Sequence, residues 1–266
     1  MSAVAQRLDA AKAAGRAALI GYLPVGFPTV EGSCRAIEAM VGAGADVVEV
    51  GVAYTDPVLD GPVIQHATEH ALRGGLRVRD TFTAVRAVVE AGAPALVMSY
   101  FNPMLQYGLE RFADHLAQAG GSGVILPDLT PDVAGDWLEV AATRGLETSF
   151  LVAPSSTRER IQLTVDHTTS FVYAASLMGV TGERATVGNQ AERLVADTRA
   201  AGARHVCVGL GVSTGAQAAD VARYADGVIV GSALVRTLVD QPDEQAALAA
   251  LRAKTAELAA GVAGMS

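Results

Sequence analysis

Lysine is almost absent from this chain. Its two copies, Lys12 and Lys254, lie near opposite ends and outside every apolar run, so no strand-borne Schiff-base lysine is expected. Cysteine is as rare: Cys34 and Cys207 are distant in sequence and hydrophobic in context, which predicts two buried thiols in a reducing cytoplasm. The five histidines, His66, His70, His115, His167 and His205, are scattered. Only His66 and His70 have helical spacing, with no third ligand beside them, so a helix face is expected rather than a metal site. Neither a GxGxxG nor a GxxxxGK[ST] nucleotide fingerprint occurs. No apolar run approaches the ~20 residues that span a bilayer, and acidic Asp9 with scattered Arg and Lys interrupts any signal-peptide pattern. A net charge of -8 argues against nucleic acid or an anionic membrane as the main partner. A cytoplasmic protein without a metal or cofactor of its own is the expectation.

What the chain does have is hydrophobic residues, half of the total, arranged in a repeat. Eight short apolar runs, each after a small-residue turn, begin near residues 16, 43, 91, 119, 144, 167, 201 and 224. Segments with helical periodicity separate them, such as "PDVAGDWLEVAATRG" and "STRERIQLTVDHT". Near-continuous apolar strands alternating with helices imply a parallel sheet covered on its faces. Eight units in this length predict one (β/α)8 barrel over residues 1–266, with "SAVAQRLDAAKAAG" as an extra N-terminal helix. Most units are 23 to 28 residues apart, but the second and third are separated by 48 and the sixth and seventh by 34. Insertions in a barrel mark active-site loops at the C-terminal ends of strands.

The longer insertion follows "VVEVGV", which carries Glu49 among valines. Alternation puts Val47, Glu49 and Gly51 on one face and Val48, Val50 and Val52 on the other. Burial raises a carboxyl's pKa toward neutrality, which suits a group that both gives and takes protons. A buried ion pair is the structural alternative, but the apolar runs offer almost no Arg or Lys. Asp56 and Asp60 follow in "TDP" and "DGP", where acids commonly form turns. With Glu49 nearby, one of them becomes the candidate for a second catalytic carboxylate. "GLGVSTG" and "VGSALV" follow the last two strands, where barrels bind phosphate with backbone N–H groups and a helix N-terminus. Gly231 and Ser232 are placed for this, with Gly211 and Gly182 opposite. A barrel of this kind that breaks a carbon–carbon bond needs a substrate with its own electron sink.

"EVGVAYTDPVLDGPVIQ" resembles the signature of the tryptophan synthase alpha subunit family. The agreement continues through "GYLPVGFPT", "SYFNPMLQYG", "ILPDLTPD", "FVYAASLMGVTG", "VGLGVS" and "VIVGSALV". The resemblance implies a (β/α)8 lyase that cleaves indole-3-glycerol phosphate to indole and glyceraldehyde 3-phosphate. Glu49 would protonate the indole ring carbon and take the side-chain hydroxyl proton, while Asp60 would stabilise charge at the indole N–H. Tyr22, Met98, Tyr100, Ile125, Val152, Tyr173 and Leu210 would line the indole pocket, and Thr181 would approach Asp60 as the sixth loop closes. Gly182, Gly211, Gly231 and Ser232 would hold the phosphate. The partner implied is a pyridoxal-phosphate beta subunit in an alpha2-beta2 tetramer, with that cofactor in the partner alone.

The chain departs from the family's pattern at Ala53, where proline is usual, and at Leu59, usually Ala or Met. Both lie on the loop that contacts the beta subunit in the family. A stand-alone lyase releasing indole, and a weak subunit kept to activate a partner, are the alternatives. Intact Glu49 and Asp60 speak against the second.

Overall fold

Each apolar run forms a strand, and the strands join in register. A computed structural model describes residues 2–175, 189–209 and 211–264. The strands are β1 (Ala18–Pro24), β2 (Val47–Gly51), β3 (Ala95–Met98), β4 (Gly123–Ile125), β5 (Glu147–Ser149), β6 (Leu151–Val152), β7 (Val172–Ala175), β8 (Val206–Gly209) and β9 (Gly227–Val230). All ladders are parallel, in the order β5-β4-β3-β2-β1-β9-β8-β7-β6. The two outermost strands, β5 and β6, are separated only by Phe150, so chain continuity closes the ring. The expected eight strands thus become nine because the fifth is interrupted at one residue: β5 pairs with β4, and β6 pairs with β7.

Alternation divides the core into two layers. Val48, Val50, Val97, Val124, Phe150, Val172, Val206 and Val228 pack outward among the helices. Ile20, Val47, Leu96, Ile125, Phe171, Cys207 and Ile229 form a separate inner cluster. The N-terminal helix α1 (Ala3–Ala13) closes the floor of this interior with Val4, Leu8 and Ala11. Ser2 caps it, accepting the Ala5 N–H at 3.0 Å.

Buried acids at the N-terminal ends of strands are tied down. Asp46 receives both Arg16 nitrogens, at 2.6 and 2.8 Å, and the Leu19 N–H at 2.9 Å. Asp226 pairs with Arg199 at 2.8 Å and accepts the Val206 N–H at 2.9 Å. These bidentate and backbone bonds compensate the desolvation of the charge. They fasten the bottom face, where barrels place stability rather than chemistry.

The 48-residue spacing is not all loop. After the turn at residues 52–61 it holds α2 (Pro62–Arg73) and α3 (Thr81–Glu90), one helix more than a standard unit. Residues 176–188, which include most of the second insertion, lie outside the described residues. A long C-terminal helix, Glu244–Val262, completes the outer layer. Among the described residues no helix is long and apolar enough to cross a membrane.

Candidate active site

A pocket opens at the C-terminal ends of the strands, enclosing about 710 Å3 including its mouth. Its wall contains Tyr22 from β1, Glu49 from β2, Met98 from β3, Ile125 from β4 and Tyr173 from β7. Asp60, Gly211, Gly231 and Ser232 reach it from the loops above. The fold thus brings together nine of the named residues from five strands and three further segments.

Glu49 is 2 % exposed, and its Oε1 has no hydrogen-bond partner among the described residues. Burial alone pushes its carboxyl up to about 8. The contrast with Asp46 and Asp226 is direct: those acids are neutralised where they sit, whereas Glu49 is kept dry and mostly protonated at neutral pH. The buried ion pair considered from sequence is absent among the described residues.

Asp60 is 5 % exposed and differently held. The Tyr100 hydroxyl donates to its Oδ1 at 2.7 Å and itself accepts the Leu59 N–H at 3.0 Å. Burial raises the Asp60 pKa, and the Tyr100 hydrogen bond opposes that rise by favouring the carboxylate. Burial thus raises both acids of the pocket, but only Asp60 has a hydrogen bond that favours its carboxylate, the asymmetry expected of a paired acid and charge stabiliser. Asp56 is exposed and, among the described residues, its side chain is bonded only to its neighbour Thr55. It is a turn residue, so Asp60 is the second carboxylate of the pocket.

Two glycines make room for the pocket phenols. Gly51 lies under the Tyr22 ring and Gly209 under the Tyr173 ring, and a Cβ at either would collide with the phenol oxygen. This packing holds both rings over the reaction space. Burial first, then the charge of nearby Asp60, drives the Tyr22 pKa well above its ordinary value. Burial and then Glu49 do the same to Tyr173. Both phenols stay protonated.

Beside Tyr22, Gly231 precedes α4 (Ser232–Val239), whose N-terminus has no side-chain cap. Its first backbone N–H groups are thus available to an anion at the positive end of the helix dipole. Gly211 adopts φ 103°, a left-handed conformation that favours glycine.

Two expectations change. Val152 packs outward in the helix-side cluster, and Leu151 takes the pocket position instead. Tyr100 stands behind Asp60 rather than on the pocket wall, so its contact is with the acid. Thr181, Gly182 and Leu210 lie outside the described residues. The pocket also recruits Leu59, Ile64, Pro127, Val212 and Ile229. Ile229 was within reach of the alternation in "GVIV", whereas the loop residues carry no signal beyond hydrophobicity.

The tryptophan synthase alpha chain family profile matches residues 8–263. The chain belongs to that family. The Streptomyces coelicolor tryptophan synthase alpha chain is 57% identical over 260 residues, covering 97% of this chain and 96% of the relative. The Mycobacterium marinum alpha chain is 56% identical over 254 residues, covering 96% and 92%. A solved structure of Mycobacterium tuberculosis tryptophan synthase matches with a TM-score of 0.92 at 53% identity, covering 98% of each chain. The Legionella pneumophila alpha chain structure matches at 0.88 with 30% identity, covering 98% and 97%. As a tryptophan synthase alpha chain it is a carbon–carbon lyase of tryptophan biosynthesis, cleaving indole-3-glycerol phosphate to indole and glyceraldehyde 3-phosphate.

Proposed function

We propose that Glu49 and Asp60 divide the proton and charge work of this cleavage, within a barrel that needs no cofactor of its own. The observation that carries the reading is the buried Glu49 carboxyl, its Oε1 without a hydrogen-bond partner among the described residues, lining the same pocket as Asp60. Protonated Glu49 delivers its proton to the indole ring carbon that bears the side chain. Positive charge then develops at the ring nitrogen, and the Asp60 carboxylate, oriented by Tyr100, stabilises it. Glu49, now ionised, takes the proton of the adjacent side-chain hydroxyl. The electron pair of that O–H bond becomes the aldehyde carbonyl, and the pair of the breaking carbon–carbon bond restores the aromatic ring. Glu49 ends protonated, ready for another cycle.

Tyr22, Met98, Ile125, Leu151 and Tyr173 enclose the indole, and Tyr100 positions Asp60. Gly211, Gly231 and Ser232 bind the phosphate through backbone N–H groups and the serine hydroxyl. The chain works in the cytoplasm with a beta subunit in an alpha2-beta2 tetramer, and pyridoxal phosphate belongs to that partner. Exposed Val58, Leu105 and Val133 support a docking face, since all three lie beyond the C-terminal ends of β2, β3 and β4. Glu49→Gln keeps the shape and removes the proton exchange. Indole release should fall by at least ~10² while substrate binding survives. A variant retaining a third of the wild-type rate would overturn the assignment. Fast turnover of the isolated chain, unaffected by any beta subunit, would instead identify a stand-alone lyase.

A further inference from the structure

The pocket contains a phenol that the proton steps above do not use. Tyr22 is the in-register neighbour of Glu49 on the adjoining strand β1, lines the same pocket and is 5 % exposed. Its side chain rises one inward position above that acid. The hydroxyl lies over Gly51, two residues beyond Glu49 on β2, in space that a Cβ there would fill. At the other end of the side chain, Cβ, Cγ and Cδ1 border Gly231, just before the uncapped helix α4. Tyr22 therefore spans the gap between the proton-exchanging acid and the anion site.

The Tyr100 hydroxyl is bonded on both sides, to Asp60 and to the Leu59 N–H. The Tyr22 hydroxyl is different. Burial and then the charges of Asp60, Tyr100 and Glu49 perturb it, and no hydrogen bond contributes. A hydroxyl left without a partner in a dry site is costly, and phenylalanine would fill the same space without that cost. Because the phenol stays protonated, it has a hydrogen to give to a molecule bound in the pocket.

A substrate with its phosphate beside Gly231 and its ring carbon at Glu49 must run its three-carbon chain along this phenol. The chain hydroxyl next to the ring is the one from which Glu49 takes a proton. As that proton leaves, negative charge develops on the oxygen until the carbon–carbon bond breaks and the aldehyde forms. We propose that Tyr22 is a further catalytic residue of the cleavage, its hydroxyl donating to the substrate oxygen that becomes the aldehyde carbonyl. The proposal rests on the assignment of Glu49 as the group that takes the proton from that oxygen. The phenol keeps its own proton, so the bonds made and broken are those already given. It acts as a fixed dipole where charge develops. A lysine or arginine in its place would hold Glu49 ionised and unable to protonate the ring, whereas a neutral donor leaves the acid form available.

The test compares Tyr22→Phe with the wild-type full-length protein, because phenylalanine keeps the ring between Gly51 and Gly231 and removes only the donor. The kcat for indole release should fall roughly 100-fold, as for the loss of one oxyanion donor, with KM changed less than about twofold. 3-(Indol-3-yl)propyl phosphate has the ring, chain and phosphate but neither chain hydroxyl, and it should bind both proteins within about twofold. The alkaline limb near pH 8 expected from Glu49 should stay in place. A Tyr22→Phe variant retaining a third of the wild-type kcat would overturn the donor role and leave the Glu49 assignment standing. Weaker binding of the hydroxyl-free analogue, by as much as kcat falls, or a displaced alkaline limb would also overturn it. The ring would then act through packing or through Glu49, not through a bond to the substrate oxygen. Retained activity in Glu49→Gln would instead remove the reading on which the proposal rests.

Discussion

Replacing Glu49 by glutamine should make the protein inactive and should raise its stability relative to the wild type as pH rises. The carboxyl titrates near 4.5 when unfolded and at about 8 in the barrel. Below the unfolded value both states hold the proton and burial costs nothing in ionisation. Between the two values the unfolded chain releases a proton that the folded chain keeps, so folding stability falls as pH rises. Above about 8 both states are ionised and the loss is complete. From pH 5 to pH 9 this amounts to roughly 4 kcal/mol, at about 1.4 kcal/mol per pH unit through the intervening range. Glutamine does not titrate, and its own amide must be solvated or bonded, a cost that is constant with pH. The difference in stability between variant and wild type should therefore grow by roughly 4 kcal/mol over that range, whatever its starting sign. Urea unfolding at pH 5 and pH 9 reads this directly. Trp137, the sole tryptophan, is fully buried and donates to Thr148 Oγ1 at 2.9 Å, so its fluorescence reports loss of the core. The same ionisation should give wild-type kcat/KM a falling alkaline limb near pH 8. Parallel stability curves for the two proteins would refute the reasoning, because Glu49 would then have to ionise alike in both states.

Three further outcomes are expected. Tyr100→Phe removes the hydroxyl between the Leu59 N–H and Asp60, so kcat should fall about 10- to 100-fold, as loss of a hydrogen bond to a charged group predicts, with KM little changed; an unchanged kcat would show that Asp60 needs no such orientation. Gly231→Asp puts a carboxylate before the uncapped helix, where a Cβ meets only ordinary contact with Tyr22 at 3.4 Å; KM should rise steeply in a folded protein, and an unaltered KM would misplace the phosphate. Ala53→Pro should tighten binding to a beta subunit severalfold by reducing the freedom of the loop, worth roughly 0.4–1 kcal/mol; weaker association in a titration would mean the loop requires a φ that proline forbids.

The repeat of small-residue turn, apolar run and helical segment was enough to specify the barrel, because fully covered parallel strands must read as apolar and must alternate with helices. It also singled out Glu49, since an acid among valines has no ordinary place in a core. Alternation put Val47 and Glu49 on one face because the run contains that one polar marker of phase, and only the assembled barrel turns that face inward. "SFLVA" has no such marker after Ser149, and continuous hydrophobicity leaves the phase of Leu151 and Val152 undetermined. Only strand pairing on both sides of Phe150 decides that Leu151 turns inward. The same holds for the second acid. Asp56 and Asp60 occupy equivalent turn dipeptides, and the choice rests on Tyr100, forty residues away, whose hydroxyl reaches one of them. Nor does local sequence distinguish Glu147, in "RGLETSF", from an exposed strand residue. Its burial arises where α1 closes the barrel floor, because desolvation belongs to the assembled surfaces and not to the residue.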